Sequence, residues 1–224
     1  MIKTKSEILF EKFCQENGIA CKKIPESSSE TADYEIKVKL QAMICEVKEL
    51  TPNKEDKRLR KELDEKGYTG IHVRKISGRL SENIKKAAKK LKHYENLNVP
   101  LIVAVYDNIL FDGSRVQKSI DHWDIDQAMY GIDTGYYLMS ARGISFNGFR
   151  HGPKKRMTLT EKKYVSAVFL LKESDGGVKV DIYHNYFASV KIDKSVFDFV
   201  NSNIRQFCHK NEPGNCSVDD LVSL

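Results

Sequence analysis

The 224-residue chain is 41% hydrophobic and 30% charged, with 37 Lys and Arg against 31 Asp and Glu, a net charge of +6 and a pI near 8.9. This is the composition of a folded globular protein large enough for one core with an elaboration, not of a disordered or fibrous chain. No apolar run approaches the roughly 18 residues that a membrane span needs, and Glu7 and Glu11 interrupt the apolar N-terminal stretch, so neither a span nor a signal peptide is expected and the chain reads as cytoplasmic. The modest basic excess suits a polyanionic partner without demanding one.

In chain order, Ser6–Asn17 reads as a helix with Ile8, Leu9, Phe10 and Phe13 on its apolar stripe and Gly18 as its stop. Ile19–Ile24 suggests a strand, and the following PESSSET segment is a polar loop. Tyr34, Ile36, Val38 and Leu40 alternate, making Asp33–Leu40 a strand, while the near-continuous apolar run Ala42–Val47 predicts a strand covered on both faces. Lys54–Lys66 is a charged helix closed by Gly67, and Ile71–Ile76 a short strand. Ser81 is an N-cap candidate for a helix through Tyr94, with Ile84, Ala87, Ala88 and Leu91 inward. Leu101–Tyr106 is the strongest buried-strand signal in the chain.

Beyond Asp107, Trp123, Ile125, Ala128 and Met129 suggest a short helix, and glycines and aromatics dominate through Phe149. Tyr164–Lys172 and Val178–Tyr183 flank SDGG as a hairpin, and Phe197–Phe207 reads as a terminal amphipathic helix. The expected organisation is a single α/β domain: a core over 1–108, a β-rich elaboration with its helix over 109–207, and a polar tail over 208–224.

Five cysteines (Cys14, Cys21, Cys45, Cys208, Cys216) show no paired metal-ligand spacing, and Cys208-His209 with Cys216 lacks a fourth ligand, so reduced thiols are expected. The chemistry-bearing segment is Asp33–Lys48. Alternation places Glu46 and Lys48 on one face of their strand and Val47 on the other. If Asp33 begins the neighbouring strand at the matching end, two carboxylates and the Val47 carbonyl offer hard oxygen ligands to Mg²⁺ or Mn²⁺. Lys48 is then placed to stabilise negative charge on a phosphate or to position a water. An Asp at the turn and ordinary strand-edge charges explain the same spacing, but a charged pair ending an apolar run is poorly explained by packing.

With Ala32-Asp33, Glu46-Val47-Lys48 and a first helix carrying Glu7, the segment from about Lys5 to Tyr106 resembles the PD-(D/E)xK, or restriction-endonuclease-like, nuclease superfamily. The resemblance implies an αβββαβ core with a central mixed sheet flanked by helices, and metal-dependent hydrolysis of DNA by an endonuclease or resolvase-like enzyme. It assigns Asp33, Glu46 and Lys48 to catalysis. Glu7, eleven residues before Gly18, matches the first-helix glutamate of the archaeal Holliday-junction resolvases, with Glu11 as its competitor. Ala32 stands where the pattern has proline. Lys90-Leu91-Lys92-His93-Tyr94 resembles the Gln-x-x-x-Tyr pair of the RecB-like branch with lysine in place of glutamine. For an enzyme that cuts both strands, the resemblance also implies pairing of two copies.

Lys85, Lys86, Lys89, Lys90 and Lys92 form a basic helical surface, and Arg79 lies just before it, all candidates for phosphate contact without base readout. His151–Arg156 is a basic loop, while Asp107 and Asp112 fit turn chemistry and His184 a structural role. The competing functions are an inactive nucleic-acid-binding module on the same fold and a protein-interaction subunit.

Overall fold

The computed structural model describes residues 3–26, 31–67, 76–109, 120, 122–140, 143–151, 157–158, 160–174, 177–198 and 203–206. Expectations for Ile71–Arg74 and Lys75, for Asp112, for 152–156 and for the tail with Cys208, His209 and Cys216 lie outside these residues.

Helix α1 (Lys5–Glu16) begins at a capping box: Thr4 Oγ1 accepts from the Glu7 N–H, and the Glu7 carboxylate accepts from the Thr4 N–H at 2.8 Å. It ends at Asn17, and Gly18 takes the left-handed conformation (φ 63°) that the sequence reserved for it. Strands β1 (Ala20–Lys23), β2 (Tyr34–Val38) and β3 (Gln41–Leu50) follow as an antiparallel meander. Helix α2 (Lys54–Lys66) opens on reciprocal bonds between Asn53 and Asp56, both 2.8 Å, and closes at Gly67 (φ 74°).

Helix α3 (Ile76–Leu91) starts five residues before the expected cap at Ser81, which is buried within it, and continues as a 3-10 turn over Lys92–Leu97. Strand β4 (Leu101–Asp107) is buried along its whole length. Helix α4 (His122–Tyr130) leads into the two-stranded β5 (Ile132–Ser140) and β6 (Gly143–His151). The expected hairpin forms as β7 (Val165–Ser174) and β8 (Gly177–His184).

A terminal helix over 197–207 does not form. Lys194–Phe197 is a 3-10 turn, and Asn203–Gln206 is strand β9, paired in parallel with Asp181–His184 of β8. The backbone groups of β8 left open at the sheet edge supply a ladder that this asparagine-containing segment takes in place of helical bonds.

The main sheet runs β1-β2-β3-β4-β7-β8-β9, with β3, β4 and β7 parallel at its centre. Strands from both halves of the chain therefore share one sheet. Its two faces bury separate cores, which makes the molecule α/β with helices on both sides. On one face Leu9, Phe10 and Phe13 of α1 meet Met43, Cys45, Val47, Ile102, Ala104 and Phe169. On the other, Leu80, Ile84, Ala87, Ala88 and Leu91 of α3 and Ile125 and Met129 of α4 meet Ile44, Leu101, Val103, Val105 and Leu170. Among the described residues no helix is long and apolar enough to cross a membrane.

Candidate metal and phosphate site

Asp33 immediately precedes β2 and extends the β2–β3 ladder by one step. Its N–H donates to the Cys45 carbonyl at 3.2 Å, and its Oδ2 accepts from the Val47 N–H at 2.8 Å. The side chain thus fixes itself against β3 where β2 has not yet begun. Strand alternation does what the sequence predicted: Val47 is buried on the α1 face, while its neighbours Glu46 and Lys48 turn to the α3 face. Lys48 Nζ donates to Glu46 Oε1 at 2.5 Å.

A second ammonium enters from α3. Lys90 Nζ lies 2.9 Å from Glu46 Oε1 and 3.8 Å from Asp33 Oδ1. One turn later the Tyr94 hydroxyl accepts from the Ala32 N–H at 3.2 Å, pinning the end of this helical segment to the chain entering Asp33. The Lys90-x-x-x-Tyr94 spacing noted in the sequence therefore spans the site, with Lys90 on the carboxylates and not on the exposed outer surface of the helix. Half-buried Lys90 borders the inward face marked by Ala87 and Leu91, whereas the sequence grouped it with the exposed lysines of the same helix.

Glu46 is fully buried. Burial pushes its carboxyl above the ordinary glutamate value; the Lys48 bond pulls it down, the Asp33 charge raises it, and Lys90 lowers it again without reversing the result. Glu46 Oε1 takes both ammonium groups, whereas the buried Oε2 accepts no hydrogen bond among the described residues. An orphaned carboxylate oxygen in a buried place is costly unless something completes it. Together with Asp33 Oδ1 it forms a hard-oxygen donor set suited to Mg²⁺ or Mn²⁺, so the residues fit the ion that the resemblance implies. No cluster of three or more His, Cys, Asp or Glu side chains converges among the described residues, which offer these two carboxylates with the Val47 peptide beside them.

The other anticipated residues are placed as follows. Glu7 is held by Thr4 and by Lys23 Nζ at 2.5 Å; burial works against its ionised form, but these bonds win and its carboxyl lies below the ordinary value. Glu11 accepts from Tyr34 Oη at 3.0 Å and from Lys3 at 2.6 Å. Neither glutamate makes a described contact with Asp33 or Glu46, because α1 packs on the opposite sheet face from the one Glu46 enters. Lys23, which the sequence did not single out, feels both Glu7 and Asp33 and links the two regions electrostatically.

Lys85, Lys86, Lys89 and Lys92 are exposed, and Lys85 lies 3.7 Å from Glu82. Arg79 donates to Asp56 Oδ2 at 2.7 Å and to the Thr51 carbonyl, tying α3 to the start of α2. It borders an open groove of about 330 Å³ with Glu49, Gly78, Glu82 and Asn83. Asp107 accepts from the Ile109 and Ile120 N–H groups, the turn role expected of it. Cys14, Cys21 and Cys45 are free thiols. Comparison with protein-family models, with curated proteins and with solved structures finds no match for this chain.

Proposed function

We propose that this chain is a metal-dependent nuclease hydrolysing DNA phosphodiesters at the Asp33–Glu46–Lys48 centre. The observation that carries the reading is the approach of the Asp33 and Glu46 carboxylates to one ammonium, with Lys48 also on Glu46 and a buried Glu46 oxygen left without a described donor. The order α1-β1-β2-β3-α2-α3-β4, with β3 and β4 parallel, supports the restriction-endonuclease-like core that the resemblance implies, with α2 as an additional helix before α3. DNA as substrate rests on the resemblance alone.

In this reading Asp33 is oriented by the Val47 N–H, so Oδ1 is the atom it presents to a cation. Glu46 presents Oε2 from within the fold. A bound Mg²⁺ or Mn²⁺ would supply Lewis-acid polarisation of the scissile phosphate and a more acidic water. Lys48 Nζ, a quarter exposed beside Glu46, carries the positive charge that a pentacoordinate phosphate needs nearby. The exposed Lys85, Lys86, Lys89 and Lys92 bind backbone phosphates without reading bases.

One observation favours a second reading, a nucleic-acid-binding module without catalysis: two ammonium groups already neutralise Glu46. The discriminating assay incubates the protein with linear, circular, single-stranded and branched DNA in Mg²⁺, Mn²⁺ or EDTA. Metal-dependent cleavage of any of them supports the nuclease; binding that persists in EDTA with every substrate left intact supports the module.

A further inference from the structure

We propose that Lys90 is the resident cation of the Asp33–Glu46 pair: its ammonium occupies the place between the carboxylates that a divalent ion takes, and metal binding must displace it. The inference rests on the nuclease reading and concerns how that same centre is loaded. Among the described residues, Lys90 is the one ammonium within ion-pair distance of both carboxylates, at 2.9 Å from Glu46 Oε1 and 3.8 Å from Asp33 Oδ1. Lys48 touches Glu46 only, and being two residues away on the same strand face it remains beside that carboxylate whatever happens at α3.

The two lysines differ in their freedom to leave. Lys90 projects from a helix whose inner face, Ala87, Ala88 and Leu91, is fully buried, and Tyr94 holds the next turn to Ala32. Its side chain is 31% exposed, so a rotation about the four-carbon stem carries the ammonium toward solvent.

Charge counting gives the displacement its force. Asp33 and Glu46 against Lys48 and Lys90 sum to zero, a poor environment for a divalent cation. With Lys90 withdrawn, the remaining three groups carry one net negative charge. Glu46 Oε1 is then relieved of one of its two donors, and Oε2 of the same carboxylate has no described donor to lose. The lysine satisfies the carboxylate pair before the metal arrives, which keeps the fold from carrying two close carboxylates without a bridging cation.

The test is a calorimetric titration with Mn²⁺ alone of the parent chain and of Lys90→Gln, Lys90→Met, Lys90→Arg and Asp33→Asn. Lys90→Gln and Lys90→Met should bind Mn²⁺ about tenfold or more tightly than the parent, because a unit positive charge has left a site a few ångströms from the ion. Lys90→Arg, which keeps that charge, should bind no tighter than the parent. A merely structural role for Lys90 predicts the reverse, weaker binding in the Gln and Met variants. Mn²⁺ affinity unchanged or lowered in both would overturn the inference. Asp33→Asn separates the two readings: if it binds Mn²⁺ like the parent, the carboxylate centre itself is not the metal site. If it loses binding while Lys90→Gln gains none, the role of Lys90 alone fails.

Discussion

At the scale of single residues, Glu46 is where stability and chemistry oppose each other. Its burial raises its carboxyl pKa, so the folded chain holds that proton more tightly than the unfolded chain does. Stability drawn from Glu46 is therefore present at low pH and lost as pH rises through the folded value; at neutral pH its ionised form costs the fold. Lys48 and Lys90 are 24% and 31% exposed and can turn to water when the carboxylate is removed. Glu46→Gln should accordingly raise stability at pH 7 by on the order of 1 kcal/mol, and the thermal midpoint with it, while removing metal-dependent cleavage. Melting curves of parent and variant across pH check this; the difference should shrink in acid, and a clearly destabilised variant at pH 7 would contradict the electrostatic account.

Among the secondary-structure elements, α1 has its own ionic support. The Glu7 carboxyl lies below its ordinary value through Lys23 and the Thr4 cap, against the opposing effect of burial. The sign is opposite to that of Glu46: this stability is present above the ordinary glutamate value and is lost as pH falls through the lowered one. Glu7→Gln should lower stability at neutral pH by about 1 kcal/mol, the usual worth of a capping interaction, with parent and variant converging in acid. Chemical denaturation at pH 7 and pH 3 measures it, and a constant difference between the two would show that Glu7 acts by packing alone.

The hairpin β2–β3 was legible because Tyr34, Ile36 and Val38 alternate and Met43–Val47 do not, a local signature of one strand buried on one face and one buried on both. The start of α3 was not. Ser81 has the chemistry of a cap, but it lies buried inside a helix that already runs from Ile76. Nor was β9, since an edge pairing with β8 is non-local and leaves no periodic mark in four residues.

Across the whole molecule, one sheet runs through both the expected core and the expected elaboration of the single domain. The strand β4 of the expected core pairs along its length with β7 of the expected elaboration, so the two halves share both buried faces. Asp33, Glu46 and Lys48 could be read from the chain because they lie within sixteen residues, Asp33 just before β2 and the other two on the neighbouring β3. The contact of Lys90 with both carboxylates could not, since it depends on how α3 lies across the sheet. The central claim is that this convergence is a hydrolytic metal centre, and one substitution addresses it with little disturbance. Asp33→Asn retains an oxygen for the Val47 N–H while removing the charge that a cation needs. In single-turnover cleavage with Mn²⁺, on whichever DNA the parent cuts, a variant with an unchanged melting curve should lose at least a hundredfold in rate. Cleavage by Asp33→Asn at the parental rate would contradict the account.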